Sequence, residues 1–462
     1  MLQPESLDAR QLAAGSRLKE GDYVGAEYQL AKILELTRYD QAQGWGIVAS
    51  LLASANDQVR AGKVLNNLLI DFDAGSNVEA LFARSQLAAR NGDMNAASEL
   101  IDQAIELEPD RASFLAWSGR LAVSRNDNAL ALQRYQQAWE VDPNDQNIAM
   151  AYAELLKRDD DLSAAQAVLE GLPDTPDMRF ARIVFMLDAR DVEMAEKLYR
   201  GYAEANYADK SAAAFQAAQS AELLEHKREA IEWYKQVTGE RSMRAILRQA
   251  FLLAELGDIG EARNLLAQLR IQTDQTVISQ SYQAEAQILQ EADLDDEAKQ
   301  VLDTALEILP GDTALRYNRA LLAVGLGQIE LAEKDLRRII AVEPDNAAAL
   351  NALGYTLADL TNRYAEAEEL ILRAYGLQPQ ESSILDSMGW VAYRLERLPE
   401  ALKYLRQAWA MTQVAEIAAH LGEVLWVSGQ EEEARAIWQS GLRTDSDRET
   451  LVKTMQRFGV MP

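Results

Sequence analysis

The chain has 462 residues, with 73 acidic against 46 basic side chains, a formal charge of −27 and no cysteine. That charge opposes phosphate backbones and anionic headgroups and argues against a nucleic-acid partner; without thiols there are no disulfides and no cysteine-based zinc site. The length exceeds what one closed core supports, unless the core grows along the chain as it does in a repeat array.

Met1 is followed by polar sequence without an apolar h-region, and no uninterrupted apolar run approaches the ~18 residues of a spanning helix. An abrupt start inside helical sequence suits a chain whose targeting or anchor segment was trimmed.

In chain order, a small residue that lets one helix approach another recurs at Ala26, Ala61, Ala97, Ala131, Ala165, Ala195, Ala230, Ala262, Ala298, Ala332, Ala367, Ala401 and Ala434. The intervals run from 30 (Ala165 to Ala195) to 36 (Ala61 to Ala97), clustering near 34, which marks thirteen candidate repeats. Pro109 and Pro143 are 34 apart, as are Pro310 and Pro344, and Pro379 follows 35 later. A proline with no N–H and a fixed φ closes a helix.

The first unit, Ser6–Leu36, has Gly21-Asp22-Tyr23 at its turn but a polar, weakly patterned first helix. Trp45 opens the second repeat, and Gly92-Asp93 mark the turn of the third. Between Leu155 and Glu240 the pattern blurs: Asp159-Asp160-Asp161 replace the glycine turn, and Pro173 and Pro176 crowd one junction. The cleanest copy is Thr313–Asn346. Leu315, Ala320, Leu322, Ala323 and Leu326 recur at helical spacing, Gly327 interrupts, and Ala332, Leu336, Ile339 and Val342 form a second amphipathic helix before Pro344. Two short helices in a unit of about 34 residues are the signature of a tetratricopeptide repeat, or TPR. At the end, Ser446 and Glu449 form a capping box, with Leu451, Met455 and Phe458 on one face as a lid for the last repeat. The reading is an all-α, right-handed α-solenoid of about a dozen repeats. It has a ragged first region over 1–40, a superhelix over 41–445 that is irregular around 155–240, and a capping helix and tail over 446–462.

Motifs for catalysis are scarce, so no catalytic, cofactor-binding or metal-binding residue is assigned. His226 and His420 are the only histidines, and each reads as a surface or packing residue, because metal and nucleophile sites need several convergent groups. Ser16-Arg17-Leu18-Lys19 matches S-x-x-K without the companion motifs of that enzyme class, and no phosphate-binding glycine loop is present. The acid runs Asp159–Asp161, Asp293 with Asp295-Asp296-Glu297, and Glu431-Glu432-Glu433 lack EF-hand spacing. They fall at turns or at starts of second helices, where carboxylates favour the helix dipole.

The informative surface is the groove lined by first helices. In this repeat, unit positions 2, 5, 9 and 12 face it while positions 4, 7, 8 and 11 pack. Across the last three repeats the wall reads Asn351, Tyr355, Asp386, Trp390, Tyr393, Glu423 and Trp426. Aromatics interleaved with polar groups suit an interface; the alternative is that the rings pack between adjacent first helices and expose only their edges. A second stretch, Phe180, Val184, Phe215, Leu247 and Phe251, is apolar and suits an apolar segment of a partner. The lysine at position 5 and asparagine at position 9 that clamp a C-terminal carboxylate in some TPR domains occur together in no unit. Gln280, Gln283, Gln287 and Gln290 instead give one repeat a neutral, hydrogen-bonding stripe.

LNALGYTLAD (Leu350–Asp359), ILDSMGWVAYRL (Ile384–Leu395) and EIAAHLGEVLW (Glu416–Trp426) resemble, in that order and spacing, the C-terminal half of a family of bacterial outer-membrane TPR lipoproteins. Its best-known member is the binding partner of a periplasmic carboxyl-terminal processing protease. The resemblance implies a non-catalytic adaptor that binds the protease and brings it peptidoglycan hydrolases as substrates. It also implies a place on the periplasmic face of the outer membrane, through a lipid anchor. A member should begin with a signal peptide ending in a lipidated cysteine, and neither is in this sequence. A second expectation is an assembly factor for an envelope machine such as a pilus or polysaccharide exporter. A lipopolysaccharide-assembly TPR protein is less similar, because its cysteine-paired metal domain has no counterpart here.

Overall fold

The computed structural model describes residues 6–72, 74, 77–271, 274–444 and 448–461. Among them every regular element is helical, 27 α-helices and one 3-10 turn, in two units, Met1–Leu224 and Glu225–Pro462. The first unit holds α1 (Leu7–Glu20), α2 (Tyr23–Leu36), α3 (Gln41–Ala53), α4 (Gln58–Asp71), α5 (Val78–Arg90), α6 (Met94–Leu107), α7 (Ala112–Ser124), α8 (Asn128–Val141), α9 (Gln146–Arg158), α10 (Leu162–Glu170), α11 (Pro176–Asp188), α12 (Val192–Glu204) and α13 (Lys210–Leu223). The second holds α14 (Lys227–Tyr234), the 3-10 turn Gly239–Arg241, α15 (Ser242–Glu255), α16 (Ile259–Leu269), α17 (Gln275–Glu291), α18 (Asp295–Ile308), α19 (Thr313–Gly325), α20 (Ile329–Val342), α21 (Ala347–Leu360), α22 (Tyr364–Leu377), α23 (Ser382–Arg394), α24 (Leu398–Met411), α25 (Ala415–Val427), α26 (Glu431–Thr444) and α27 (Glu449–Arg457).

Consecutive helices pair as hairpins, α1/α2 through α11/α12 in the first unit and α15/α16 through α25/α26 in the second. Within each unit a hairpin also packs on the next, for example α6 on α7 and α22 on α23. This is an all-α TPR solenoid. All thirteen periodic alanines fall near the start of an even-numbered helix and are 0% exposed. A larger side chain there would hold the paired helices apart, which is why the period is so well kept.

The turns explain the rest of the period. A first helix closes on a left-handed residue, supplied by Gly21, Gly92, Gly257, Gly327 and Gly429, with φ between 69° and 88°. Where glycine is missing, Asn126, Asp160, Arg190, Asp293 and Glu396 take the same conformation at φ 58° to 62°, at a steric cost of about 1–2 kcal/mol each. An aspartate often follows and caps the second helix: Asp22, Asp93, Asp127, Asp161 and Asp191 each accept from the backbone N–H three residues on. In the run Asp159–Asp161, Asp160 therefore makes the turn and Asp161 the cap. Helices α6, α8, α18, α20 and α22 each end two residues before a proline, Pro109, Pro143, Pro310, Pro344 or Pro379.

In the repeat α19/α20, Leu315, Ala320, Leu322, Ala323, Ala332, Leu336 and Ile339 are buried as their spacing requires. Val342, in the last turn of α20, is 60% exposed instead. This repeat also buries a charge: Asp335, 1% exposed, accepts from Arg316 at 3.1 Å and from Arg319 at 2.8 Å. A buried carboxylate persists only when paired and hydrogen-bonded in this way.

The blurred middle of the sequence coincides with the shortest helices of its region, nine residues in α10 and eight in α14. Helix α27 covers the end of the second unit, with Leu451 0% and Met455 1% exposed against α25 and α26. Ser446, the expected capping partner of Glu449, lies outside the described residues. Among the described residues no helix is long and apolar enough to cross a membrane.

Candidate interaction surface

In the second unit, α19, α21, α23 and α25 present their first-helix faces to a cleft of about 270 Å³. Its walls include Asn351 and Tyr355 of α21, Asp386 of α23, and Glu416 of α25, with Tyr317 and Leu321 of α19 at one side. Three residues read from the sequence as groove wall thus meet in one place. The structure adds Glu416 and Ser383, both at unit position 2, and Tyr317 and Leu321, at positions 5 and 9 of the preceding repeat. The same unit positions find all four, Ser383 and Glu416 within the last two repeats and Tyr317 and Leu321 one repeat before the three already read.

Behind the cleft is a buried polar layer. His420 is 4% exposed, with Nδ1 2.8 Å from Asp386 Oδ2 and Nε2 3.2 Å from the Tyr355 hydroxyl. Its ring stacks on Trp390 at 4.2 Å, and Trp390 Nε1 donates to Asp359 Oδ1 at 3.0 Å. Burial alone would make the imidazolium less stable, but the Asp386 carboxylate outweighs it and holds His420 above its ordinary pKa. Burial, reinforced by Glu416, Asp359 and Asp386, pushes the Tyr355 hydroxyl far above the usual phenol range. Glu416 stands exposed at the rim. Desolvation in the cleft raises its carboxyl pKa, opposed by His420 and reinforced by Asp386.

This layer satisfies some of its polar atoms and leaves two acceptors buried without partners. Asp386, 4% exposed, has Oδ2 committed to His420, while its Oδ1 has no hydrogen-bond partner. Asn351 Oδ1 is likewise buried without a partner.

Of the remaining wall residues, Trp390 and Glu423 are each 5% exposed and belong to the packing between first helices. Glu423 accepts from Tyr393 at 3.2 Å and pairs with Arg457 of α27. Burial and then the Glu423 charge push the Tyr393 hydroxyl up to about 12. Trp426 is half-buried, stacked on Trp438 at 5.5 Å and 5.9 Å from Phe458, with the Arg435 guanidinium over its ring. Trp390 is thus packed between first helices, and Trp426 is half-covered by Trp438, Phe458 and Arg435.

The second stretch divides between the two units. In the first, Phe180 is half-buried, Val184 is 42% exposed and Phe215 is 5% exposed, packed within α13 and its neighbours. In the second, Leu247 and Phe251 line a cleft of about 410 Å³ with Gln280, Gln283, Gln287 and Gln290 of α17. Leu321 borders both this cleft and the one at Asp386. Gln280 Oε1 is buried without a partner, and Gln283 donates to Ser279 at 2.9 Å.

Of the two histidines, His420 is the core residue described above and His226 occupies the N-cap of α14. Asp295-Asp296-Glu297 and Glu431-Glu432-Glu433 lie in the first turns of α18 and α26, where the dipole favours them. Among the described residues no group of three or more His, Asp or Glu is arranged to hold a metal.

Hairpins of this length, closed by a left-handed residue and packed through a periodic alanine, define the class as a tetratricopeptide repeat protein. A sequence profile described as tetratricopeptide repeat matches residues 82–145, 317–382 and 387–448, and another of the same description matches 122–183. The chain is homologous to a TPR repeat-containing protein of Pseudomonas aeruginosa, 45% identical over 213 residues. The match takes in 46% of this chain and 36% of that relative, so the chain spans about a third of the relative's length. Among solved structures it is similar to yeast Tom70, at 16% identity over 87% of this chain and 91% of that one, with a TM-score of 0.45. A tetratricopeptide repeat protein from Parabacteroides merdae gives 14% identity, 54% and 98% coverage and a TM-score of 0.43.

Proposed function

We propose that this chain is a non-catalytic scaffold for protein partners, acting as an adaptor that binds a carboxyl-terminal processing protease and delivers peptidoglycan hydrolases to it. TPR arrays are typically interaction scaffolds, which makes protein partners the general expectation. The observation that carries the finer reading is the coincidence of resemblance and geometry. The three family-like stretches lie on α21, α23 and α25, and these helices share one wall with an open cleft. A long array also has room to hold protease and substrate together, which raises the local substrate concentration without any new chemistry. On this reading the chain works at the periplasmic face of the outer membrane, held by a lipid anchor.

The test is degradation of a purified peptidoglycan hydrolase by the purified protease, with and without this protein. Marked acceleration together with a ternary complex supports the adaptor. A stable complex with an envelope assembly component, and no effect on degradation, would favour the assembly-factor reading instead. Hydrolysis by the chain alone would overturn the non-catalytic assignment.

A further inference from the structure

The cleft beside Asp386 has a chemistry more specific than a general protein-binding surface. Its two buried unpartnered groups, Asp386 Oδ1 and Asn351 Oδ1, are both acceptors. Glu416 at the rim adds negative charge, and the Tyr317 and Tyr355 rings form apolar side walls. An unsatisfied buried carboxylate oxygen costs free energy in the empty protein, and a ligand bearing several N–H donors relieves that cost. A C-terminal carboxylate is repelled by this set. A planar guanidinium suits it, because it presents five donors and also lies well against aromatic faces. Next to this cleft, across Leu321, the side-chain amides of Gln280, Gln283, Gln287 and Gln290 on α17 line a second cleft; Gln283 and Gln287 already donate to Ser279 and Glu291, and their amide oxygens are acceptors for the N–H groups of an extended main chain.

We propose that the cleft lined by Tyr317, Asn351, Tyr355, Asp386 and Glu416 receives the arginine side chain of an extended segment of a protein partner, whose adjoining main chain lies along the glutamine row of α17. Asp386 is then a two-sided residue. His420 holds Oδ2, which leaves the buried Oδ1 as the acceptor for the guanidinium. The inference goes beyond the adaptor reading and stands whether or not the partner is a protease.

The test is fluorescence anisotropy of the full chain with labelled nonapeptides of alanine and serine, acetylated and amidated, carrying arginine, lysine or alanine at the centre. The arginine peptide should bind roughly tenfold tighter than the alanine peptide, a difference typical of one charge-assisted hydrogen bond, with lysine between them. Asp386→Asn should lose most of that preference. Because Asp386 also holds His420, Asn351→Leu is the second variant: it fills the cleft and leaves the histidine pair alone. Arginine and alanine peptides binding equally would overturn the proposal. So would an Asn351→Leu protein that melts like wild type and still prefers arginine. An alanine peptide with a free N-terminal amine matching the arginine peptide would reassign the cleft to an α-ammonium group and overturn the arginine assignment.

Discussion

Replacing Trp390 with alanine tests whether the wall of first helices is held together by the rings it presents. Trp390 is 5% exposed, stacks on His420 at 4.2 Å, lies 5.2 Å from Tyr393 and donates to Asp359. A buried aromatic ring of this size removes roughly 150–250 Å² from water, which is about 4–6 kcal/mol at ~25 cal/mol per Å². The unfolded chain already hides part of that area, and large-to-small changes of this kind cost about 3–5 kcal/mol. Coupling in a repeat array is local, and Trp390 with its partners Asp359 and His420 spans α21, α23 and α25, so the loss should fall on α21 to α26 rather than on the whole array. Urea unfolding followed by far-ultraviolet circular dichroism should show an early transition carrying about three hairpins of helix. Hydrogen exchange should place it there. Trp390→Phe, which keeps a ring but loses the bond to Asp359, should cost only about 1–2 kcal/mol. A Trp390→Ala protein within about 0.5 kcal/mol of wild type, the range of an ordinary surface change, would refute the packing role and return the residue to the open groove.

Four further outcomes follow. Gly389 and Gly376 should respond oppositely to alanine. A Cβ on Gly389 would sit 2.4 Å from Leu405 Cγ, costing about 1–3 kcal/mol, whereas Gly376 on α22 has nothing within 4 Å and should gain about 0.5–1 kcal/mol in thermal or urea melts. His420, whose folded pKa is raised, contributes stability that is fully present below its unfolded value of about 6.5 and is lost as pH rises through the folded value. Urea midpoints of wild type and His420→Gln should therefore draw closer over that window; parallel curves would mean that His420 does not titrate there, and Glu416, Asp386, Asp359 and Tyr355 remain common to both proteins. Arg457→Ala removes the partner that α27 gives to the buried Glu423, so protection of α27 against hydrogen exchange should fall by about 1–3 kcal/mol, and unchanged protection would show that Leu451 and Met455 hold the lid alone. Trp426→Ala, which breaks the stack on Trp438 and the contact with Phe458, should loosen the same lid by about 3–5 kcal/mol.

The hairpins were legible because their signals are local and repeated. An alanine where two helices touch, a left-handed residue at the turn and a proline after the second helix recur every 34 residues or so, and each has one physical cause. Position within the repeat also sufficed to put Asn351, Tyr355 and Asp386 on one wall. It could not separate Trp390 and Glu423 from their neighbours, because Trp390 is covered by His420 of the next repeat and Glu423 by Arg457 of α27. His420 looked solitary for the same reason: its partners Asp386 and Tyr355 are 34 and 65 residues away. The burial of Asp335 between Arg316 and Arg319 was equally invisible, since three charges on one hairpin read as solvated surface.

A solenoid separates stability from recognition differently from a closed domain. In a closed core a polar side chain is either inside and satisfied or outside and hydrated. Here a first helix has its back in the core and its front on the groove, so one residue can serve both. Asp386 lines the cleft while its Oδ2 is bound to His420 and its Oδ1 is buried without a partner. The arrangement gives a binding group the rigidity of the core, because moving Oδ1 would require breaking the histidine pair and the Trp390 stack behind it. It also confines the consequences. Coupling in a repeat array is local, so a change at this cleft is felt by α19 to α26, which line or back it, and fades along the array beyond them.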